Sequence, residues 1–142
     1  MERKWVVKTK RSLEIEAQKT LLEPLLDVIT RDLADGNCPQ DKIELIRICA
    51  EEVFINIASY AYPEQDGLVN IEEEVGDNKI EVVFKDEGIA YDPLEKADPD
   101  VSAPLSEREI GGLGIFMVKQ MADELKYTYE NHKNCLYMKC SW

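Results

Sequence analysis

Two polar side chains, Glu52 and Asn56, interrupt a mostly apolar stretch over residues 43–58. On a helix they lie four residues apart on one side, away from the other charged residues of the stretch. Burying a carboxylate and an amide without partners costs several kcal/mol. One interpretation is therefore a cleft in which the amide oxygen holds a hard cation such as Mg²⁺ and the carboxylate acts as acid or base. The alternative is a helix edge with two solvated side chains.

A cluster of glycines, Gly111, Gly112 and Gly114, precedes a predicted helix. Glycine lets backbone N–H groups approach a ligand closely, and the N-terminus of a helix attracts phosphate. The segment lacks the Gly-Lys-Ser/Thr sequence of a P-loop. Phosphate binding is one interpretation of the cluster, and a flexible hinge is the other.

The segment Asp86-Glu87-Gly88-Ile89-Ala90 ends a predicted strand. An Asp followed by Gly at this place is typical of a turn. The alternative is that Asp86 accepts a hydrogen bond from the amino group of a nucleobase, and that Gly88 lets the chain pass close to the ring.

An acidic loop over residues 86–109 separates this strand from the glycine cluster. Its charge would not attract a triphosphate. Phosphate binding would then depend on glycine N–H groups, the helix dipole and Mg²⁺, with Arg108 or Lys119 as a cation. A loop of this length is typical of a lid, and a plain disordered loop is the alternative.

Hydrophobic periodicity predicts the elements that position these residues, in the order β α α β β α β β. Helices are predicted over residues 20–35, 41–60 and 112–124, and strands over 5–16, 68–75, 79–85, 127–129 and 136–138, with a last turn at 131–134. Because the strands meet in hairpins, the predicted fold class is α+β. It is an α/β sandwich in one domain, residues 1–142, with a mostly antiparallel sheet covered on one face by helices.

Composition excludes several classes of protein. A content of 44% hydrophobic residues excludes a disordered acidic tail, and a net charge of −12 argues against nucleic-acid binding. No apolar run is long enough for a membrane span, and the N-terminus lacks the core of a signal peptide, so we expect a cytoplasmic protein. The four cysteines form no metal-binding spacing and are expected to be free thiols.

The order of the three motifs, around residues 50–56, 86–93 and 111–116, resembles the ATPase domain shared by gyrase, histidine kinases and MutL, which has a Bergerat-type ATP-binding fold. Within that superfamily the chain is most similar to the small bacterial anti-sigma factor serine kinases of the RsbW and SpoIIAB type. The resemblance covers essentially the whole chain.

This resemblance implies a role for each matching residue. Glu52 corresponds to the general base toward the attacking hydroxyl, and Asn56 to the residue that binds Mg²⁺. Asp86 corresponds to the acceptor of the adenine amino group, with Gly88 beside it. The remaining implied contacts with ATP, under a lid at about residues 87–111, come from Ala90, Arg108, Gly111, Gly112, Leu113 and Gly114.

Two positions depart from the family pattern. Ala90 replaces the second glycine of Asp-x-Gly-x-Gly. Tyr137 stands where family members often have a threonine near the adenine, in a late strand.

The function implied is an ATP- and Mg²⁺-dependent kinase that phosphorylates a Ser or Thr of an anti-sigma-factor antagonist (STAS-type) and sequesters a sigma factor. Relatives commonly form homodimers. One alternative is a switch that binds ATP without phosphotransfer. Another is the catalytic domain of a histidine kinase, although the only histidine, His132, falls in a late hairpin. The last is a structural domain that binds no nucleotide.

Overall fold

The computed structural model describes residues 7–95 and 112–142. The strands in this part of the chain are β1 (Val7–Glu16), β2 (Leu68–Gly76), β3 (Lys79–Asp86), β4 (Glu124–Glu130) and β5 (Lys133–Ser141). The α-helices are α1 (Leu22–Asp35), α2 (Gln40–Tyr60) and α3 (Gly112–Met121), and short 3₁₀ turns span Lys19–Leu21 and Pro93–Glu95. The predicted order of helices and strands is confirmed.

The five strands form one antiparallel sheet in the order β1-β2-β3-β5-β4. Alternation along β3 turns Ile80, Val82 and Phe84 inward, where they join buried side chains of the helices in one core. The predicted α+β sandwich is therefore confirmed. Within the described ranges, no helix has both the length and the apolar composition needed to cross a membrane.

Helix α3 ends three residues earlier than predicted, at Met121. The backbone N–H of Asp123 already donates to the carbonyl of Lys139 at 2.8 Å, and its carboxylate accepts from the N–H of Ser141 at 2.6 Å. Asp123 is thus paired with β5 and cannot continue the helix. Helix α1 likewise starts at Leu22 instead of residue 20, because the chain first makes a 3₁₀ turn.

The last hairpin is longer, and its turn shorter, than the sequence predicted. Asn131 and His132 have φ angles of 53° and 61° and connect β4 to β5, as expected for a two-residue turn. Asn134, which we predicted in the turn, is therefore a strand residue. The register of β5 on β3 places it opposite Asp86.

A buried carboxyl, Glu73, interrupts the apolar inward row of β2 and is only 4% exposed. Arg11 is its partner across β1 and β2, with 3.5 Å between the Arg11 Nε and the Glu73 Oε2. The guanidinium donates instead to both carboxylate oxygens of Asp32 on α1, at 2.8 and 2.9 Å. In the described part of the chain neither oxygen of Glu73 accepts a hydrogen bond from a donor, so Glu73 is poorly stabilised as an anion.

Opposite pKa shifts of the two acids follow from this arrangement. Burial, and then the hydrogen bond and charge of Asp32, raise the pKa of Glu73 to about 9, and Arg11 offsets only part of this. Burial also acts to raise the pKa of Asp32, but hydrogen bonds from Arg11 and Glu73 and the charges of Arg11 and Arg31 lower it overall. Glu73 therefore keeps its proton in the folded chain near neutral pH and donates it toward Asp32.

Replacing Glu73 with glutamine is expected to stabilise the fold by about 1–2 kcal/mol near pH 8. At that pH the glutamate must take up a proton when the chain folds, which costs free energy, whereas a neutral amide does not. In the unfolded chain Glu73 ionises near its ordinary pKa of 4.5, whereas in the folded chain it holds its proton up to about pH 9. Stability of the native sequence therefore falls as pH rises between these values. The measurement is urea unfolding of both proteins from pH 5 to pH 9.

The matched control is Glu72→Gln, which alters the neighbouring, exposed residue. Glu72 is on the opposite face of the sheet, where its Oε1 lies 3.1 Å from the Nζ of Lys85. The advantage of Glu73→Gln should be small at pH 5 and grow with pH. An advantage that does not change with pH, or a loss of stability at pH 8, would contradict the assignment of a held proton.

Candidate functional site

A partly open cavity lies between the C-terminal half of α2, the end of β3, the start of β5 and the segment after β3. Its walls are mostly apolar and aromatic, with a few polar groups, as in most small-molecule sites. The polar side chains that line it are Asn56, Asp86 and Asn134, and the tyrosines are Tyr60, Tyr91 and Tyr127. The rings of Tyr60 and Tyr91 lie 5.5 Å apart.

Asp86 ends β3 with its side chain against this cavity, and it is 5% exposed. Its Oδ1 accepts hydrogen bonds from the N–H of Gly88 and from Asn134 Nδ2, both at 2.9 Å. Burial raises the pKa of Asp86, and these two hydrogen bonds offset part of the rise. Within the described residues Oδ2 receives no hydrogen bond, so it is the oxygen available to a ligand.

Asn134 orients Asp86. Its Nδ2 donates to Asp86 and to the carbonyl of Ile89 at 2.8 Å, and its Oδ1 accepts from the N–H of Tyr91 at 3.2 Å and from the hydroxyl of Tyr127. Two donated and two accepted hydrogen bonds use the full capacity of the amide. Asn134 is therefore a positioning residue that joins β3, β4 and the segment after β3.

Sequence reasoning missed Asn134, although a signal exists. Leu136, Met138 and Cys140 alternate along β5 and are all buried. Counting back by two from Leu136 reaches Asn134, so the sequence has an amide at a core position, where it needs partners.

Asn56 and Glu52 lie one turn apart on α2, as the sequence predicted, but only Asn56 lines the cavity. The half-buried carboxylate of Glu52 lies directly against Gly114 in the first turns of α3. A Cβ at position 114 would collide with Glu52 Oε2, so a larger residue there would push the Glu52 carboxylate aside. Burial, and then the charge of Glu51, raise the pKa of Glu52.

Gly88 is required by a close approach of two backbones. A Cβ at this position would collide with the carbonyl of Ala61, just past the end of α2, and the N–H of Ile89 donates to the same carbonyl at 2.9 Å. The segment after β3 is thereby fixed to α2. Ala90 is exposed and does not line the cavity, although its neighbours Ile89 and Tyr91 do.

Comparison with known families gives a match to the Histidine kinase-like ATPase domain over residues 15–140. The chain belongs to this family. It is 27% identical over 103 residues to the Serine-protein kinase RsbW of Bacillus thuringiensis, which covers 70% of this chain and 64% of the relative. It is 30% identical over 95 residues to the RsbW of Listeria monocytogenes, covering 63% and 60%. The chain thus spans less than two thirds of the length of these relatives.

In this histidine kinase-like ATPase domain Tyr137, which the resemblance implied near the adenine, does not line the cavity beside Asp86. Alternation along β5 turns Tyr137 away from the cavity, and its hydroxyl donates to Glu81 on the opposite face of the sheet. Neighbouring strand residues face opposite sides of a sheet, so Tyr137 and Asp86 lie on different faces. Asn134 is the residue of β5 beside Asp86.

The described part of this ATPase domain does not include every predicted site residue. Gly112 and Leu113 begin α3. Arg108 and Gly111 lie outside the described residues, as does the predicted lid from residue 96 to 111. The start of the lid, residues 87–95, holds Tyr91 and Pro93 against the cavity.

Proposed function

We propose that the chain is an ATP-dependent protein serine/threonine kinase that also acts as an anti-sigma factor. The observation that carries the proposal is Asp86, a buried carboxylate with one oxygen open to a cavity that Asn56 also lines. The kinase names of the relatives support phosphotransfer. The resemblance to anti-sigma factor kinases supports a sigma factor and a STAS-type antagonist as partners.

The residues that line the cavity fit ATP. Asp86 Oδ2 is an acceptor suited to the exocyclic amino group of adenine. Apolar side chains on both sides of the cavity, such as Val53 and Leu136, suit a flat ring. The glycine segment 111–114 and Arg108 are proposed to contact the phosphates, and residues 87–111 to form the lid.

The same site fits Mg²⁺ through Asn56. Among the described residues, no three or more His, Cys, Asp or Glu side chains are grouped so that they could hold a metal ion. Mg²⁺ keeps several waters and usually takes one or two protein ligands together with substrate phosphates. One amide oxygen on α2 is therefore a sufficient protein contribution.

Glu52 is proposed to take the proton from the Ser or Thr hydroxyl of the antagonist. When bound, Mg²⁺ and ATP supply the phosphoryl group and offset its charge, so the protein contributes mainly positioning. A carboxylate whose pKa is raised by burial is a stronger proton acceptor than a solvated one. The proposal is supported by the closeness of Glu52 to Gly114, which belongs to the segment proposed to contact the phosphates.

The first test is calorimetric titration of the protein with ATP and ADP, with and without Mg²⁺, beside Asn56→Ala. A polar contact with a charged group contributes about 1.5–3 kcal/mol to binding. Removing the Asn56 amide oxygen in Asn56→Ala should therefore weaken Mg²⁺-dependent ATP binding by roughly 10-fold or more. The control is Ser59→Ala, an exposed position three residues further along α2.

The outcomes separate the candidate functions. Absence of nucleotide binding in all conditions would remove the proposal and leave a domain that acts by protein contacts. Binding without any phosphoprotein, when the cognate antagonist is supplied, would favour the alternative of an ATP-dependent binding switch.

A further inference from the structure

Two buried thiols that take no part in the proposed kinase chemistry, Cys49 on α2 and Cys140 on β5, lie close together. Cys49 is 1% and Cys140 4% exposed, and all four cysteines of the chain are free. Both side chains line the same small cavity, and the two thiols are close enough for each to shift the pKa of the other. A helix and a strand thus approach each other at two oxidisable sulfur atoms.

A small, partly open cavity lies beside this pair. It lies between α2, α3 and β5, and both thiols line it together with Lys42, Leu45 and Met121. Leu45 is 40% exposed, so the cavity opens to solvent. A small oxidant such as hydrogen peroxide would enter by this opening.

The closeness of the two thiols gives the two sulfurs different roles. Interaction with Cys140 lowers the pKa of Cys49, more than burial raises it. The same interaction, with burial, raises the pKa of Cys140. Cys49 is thus the better nucleophile, because the thiolate is the reactive form.

The other two cysteines are in different environments. The Cys38 Sγ donates to the carbonyl of Pro39 at 3.6 Å. The pKa of Cys38 is raised to about 11, mainly by burial. Cys135 is on the same strand as Cys140 but five residues away, so its side chain is on the other face of the sheet. Its pairing partner on β3 is Lys85.

We propose that Cys49 and Cys140 form an oxidation site that closes to an intramolecular disulfide when the protein meets a peroxide. The Cys49 sulfur attacks one peroxide oxygen, the O–O bond breaks, and Cys49 sulfenic acid and one water form, the water taking the thiol proton. The Cys140 sulfur then attacks the Cys49 sulfur, the S–S bond forms, and the S–O bond breaks. Hydroxide leaves with the Cys140 proton as a second water. Two thiols are oxidised and one peroxide is reduced.

The disulfide would tie α2 to the sheet. Cys49 lies one turn before Glu52, on the helix that also holds Asn56, and Cys140 lies in the strand that holds Asn134. The crosslink closes a loop of most of the chain, and long loops give the largest stabilisation in the chain-entropy account.

The test is oxidation of the folded full-length chain with hydrogen peroxide, followed by alkylation of the remaining thiols and peptide mapping. We expect one disulfide, between Cys49 and Cys140, a mass lower by two hydrogens, and a Tm raised by at least about 5 °C. Cys49→Ser and Cys140→Ala should each abolish the disulfide and the Tm shift. Cys38→Ser and Cys135→Ser are the matched controls and should leave both unchanged.

Several results would overturn the proposal. They are a disulfide through Cys38, an intermolecular crosslink through Cys135, or complete alkylation of Cys49 and Cys140 after peroxide treatment that oxidises other thiols. The peptide map of the native sequence decides between these outcomes even where a cysteine variant fails to fold.

Discussion

Replacing Glu52 with glutamine should lower phosphotransfer to the antagonist by roughly 10²–10⁴-fold, the range typical of a lost general base, while ATP affinity stays nearly unchanged. Glutamine keeps the shape of the side chain against Gly114 but cannot take a proton. The measurement is transfer of labelled phosphate from ATP to a purified STAS-type antagonist, with calorimetric ATP binding alongside. Glu52→Ala should lose phosphotransfer to a similar extent.

The matched control is Glu51→Gln, because Glu51 precedes Glu52 and its charge raises the pKa of that residue. Glu51→Gln should transfer phosphate at close to the native rate. Equal loss of ATP binding and phosphotransfer in Glu52→Gln would count against Glu52 as the base. Retained transfer would remove the assignment altogether.

The pH dependence of the reaction has the same origin. Burial raises the pKa of Glu52, and a protonated carboxyl cannot accept the hydroxyl proton. The rate should therefore fall on the acid side at a higher pH than an ordinary glutamate would give, and Glu52→Gln should lack this limb of the profile.

The sequence was sufficient for the features that depend on short-range periodicity. Glu52 and Asn56 could be placed on one side of α2 because helical spacing is regular. The hairpins and the α+β class followed from alternation in the strands. The family match agrees with the order of the three motifs along the chain.

Features that depend on exact register could not be predicted in this way. The turn at Asn131 and His132 is two residues shorter than the predicted one, and this moves Asn134 into β5, opposite Asp86. Which face Tyr137 takes depends on the same register, because a shift of one strand residue exchanges the two faces of a sheet.

Glu73 was missed for a different reason. An acid on a strand is ordinarily solvated, and its burial follows from partners on two other elements, Arg11 on β1 and Asp32 on α1. Pairing between side chains that far apart in sequence leaves no periodic signal. The same holds for the closeness of Cys49 and Cys140, one on a helix and the other on the last strand.

Asp86→Asn should weaken ATP binding by about 100-fold or more, because it replaces the acceptor that we propose for the adenine amino group with a donor. The direction of the new amide is fixed by the surrounding hydrogen bonds. Gly88 N–H and Asn134 Nδ2 both donate to the Oδ1 position, so the amide oxygen must stay there and the NH₂ group must take the place of Oδ2. Two donors then face each other across the site.

The same geometry predicts a change of base preference. An NH₂ group at this place is suited to the carbonyl at C6 of hypoxanthine, so Asp86→Asn should bind inosine triphosphate better than ATP, whereas the native protein should prefer ATP. The measurement is calorimetric titration of both proteins with both nucleotides in Mg²⁺. Asp92→Asn is the matched control, since Asp92 lies in the same segment but its carboxylate accepts from the N–H of Leu94 at 2.8 Å.

Acid pH should act on the native protein in the same direction as this substitution. Burial raises the pKa of Asp86, and protonation of Oδ2 removes the acceptor, so ATP affinity should fall as pH drops toward that pKa, above the range of a solvated aspartate. In Asp86→Asn this fall should be absent. If Asp86→Asn kept its preference for ATP over inosine triphosphate, the base would not be bound through this carboxylate, and the cavity would have to hold the nucleotide in another orientation.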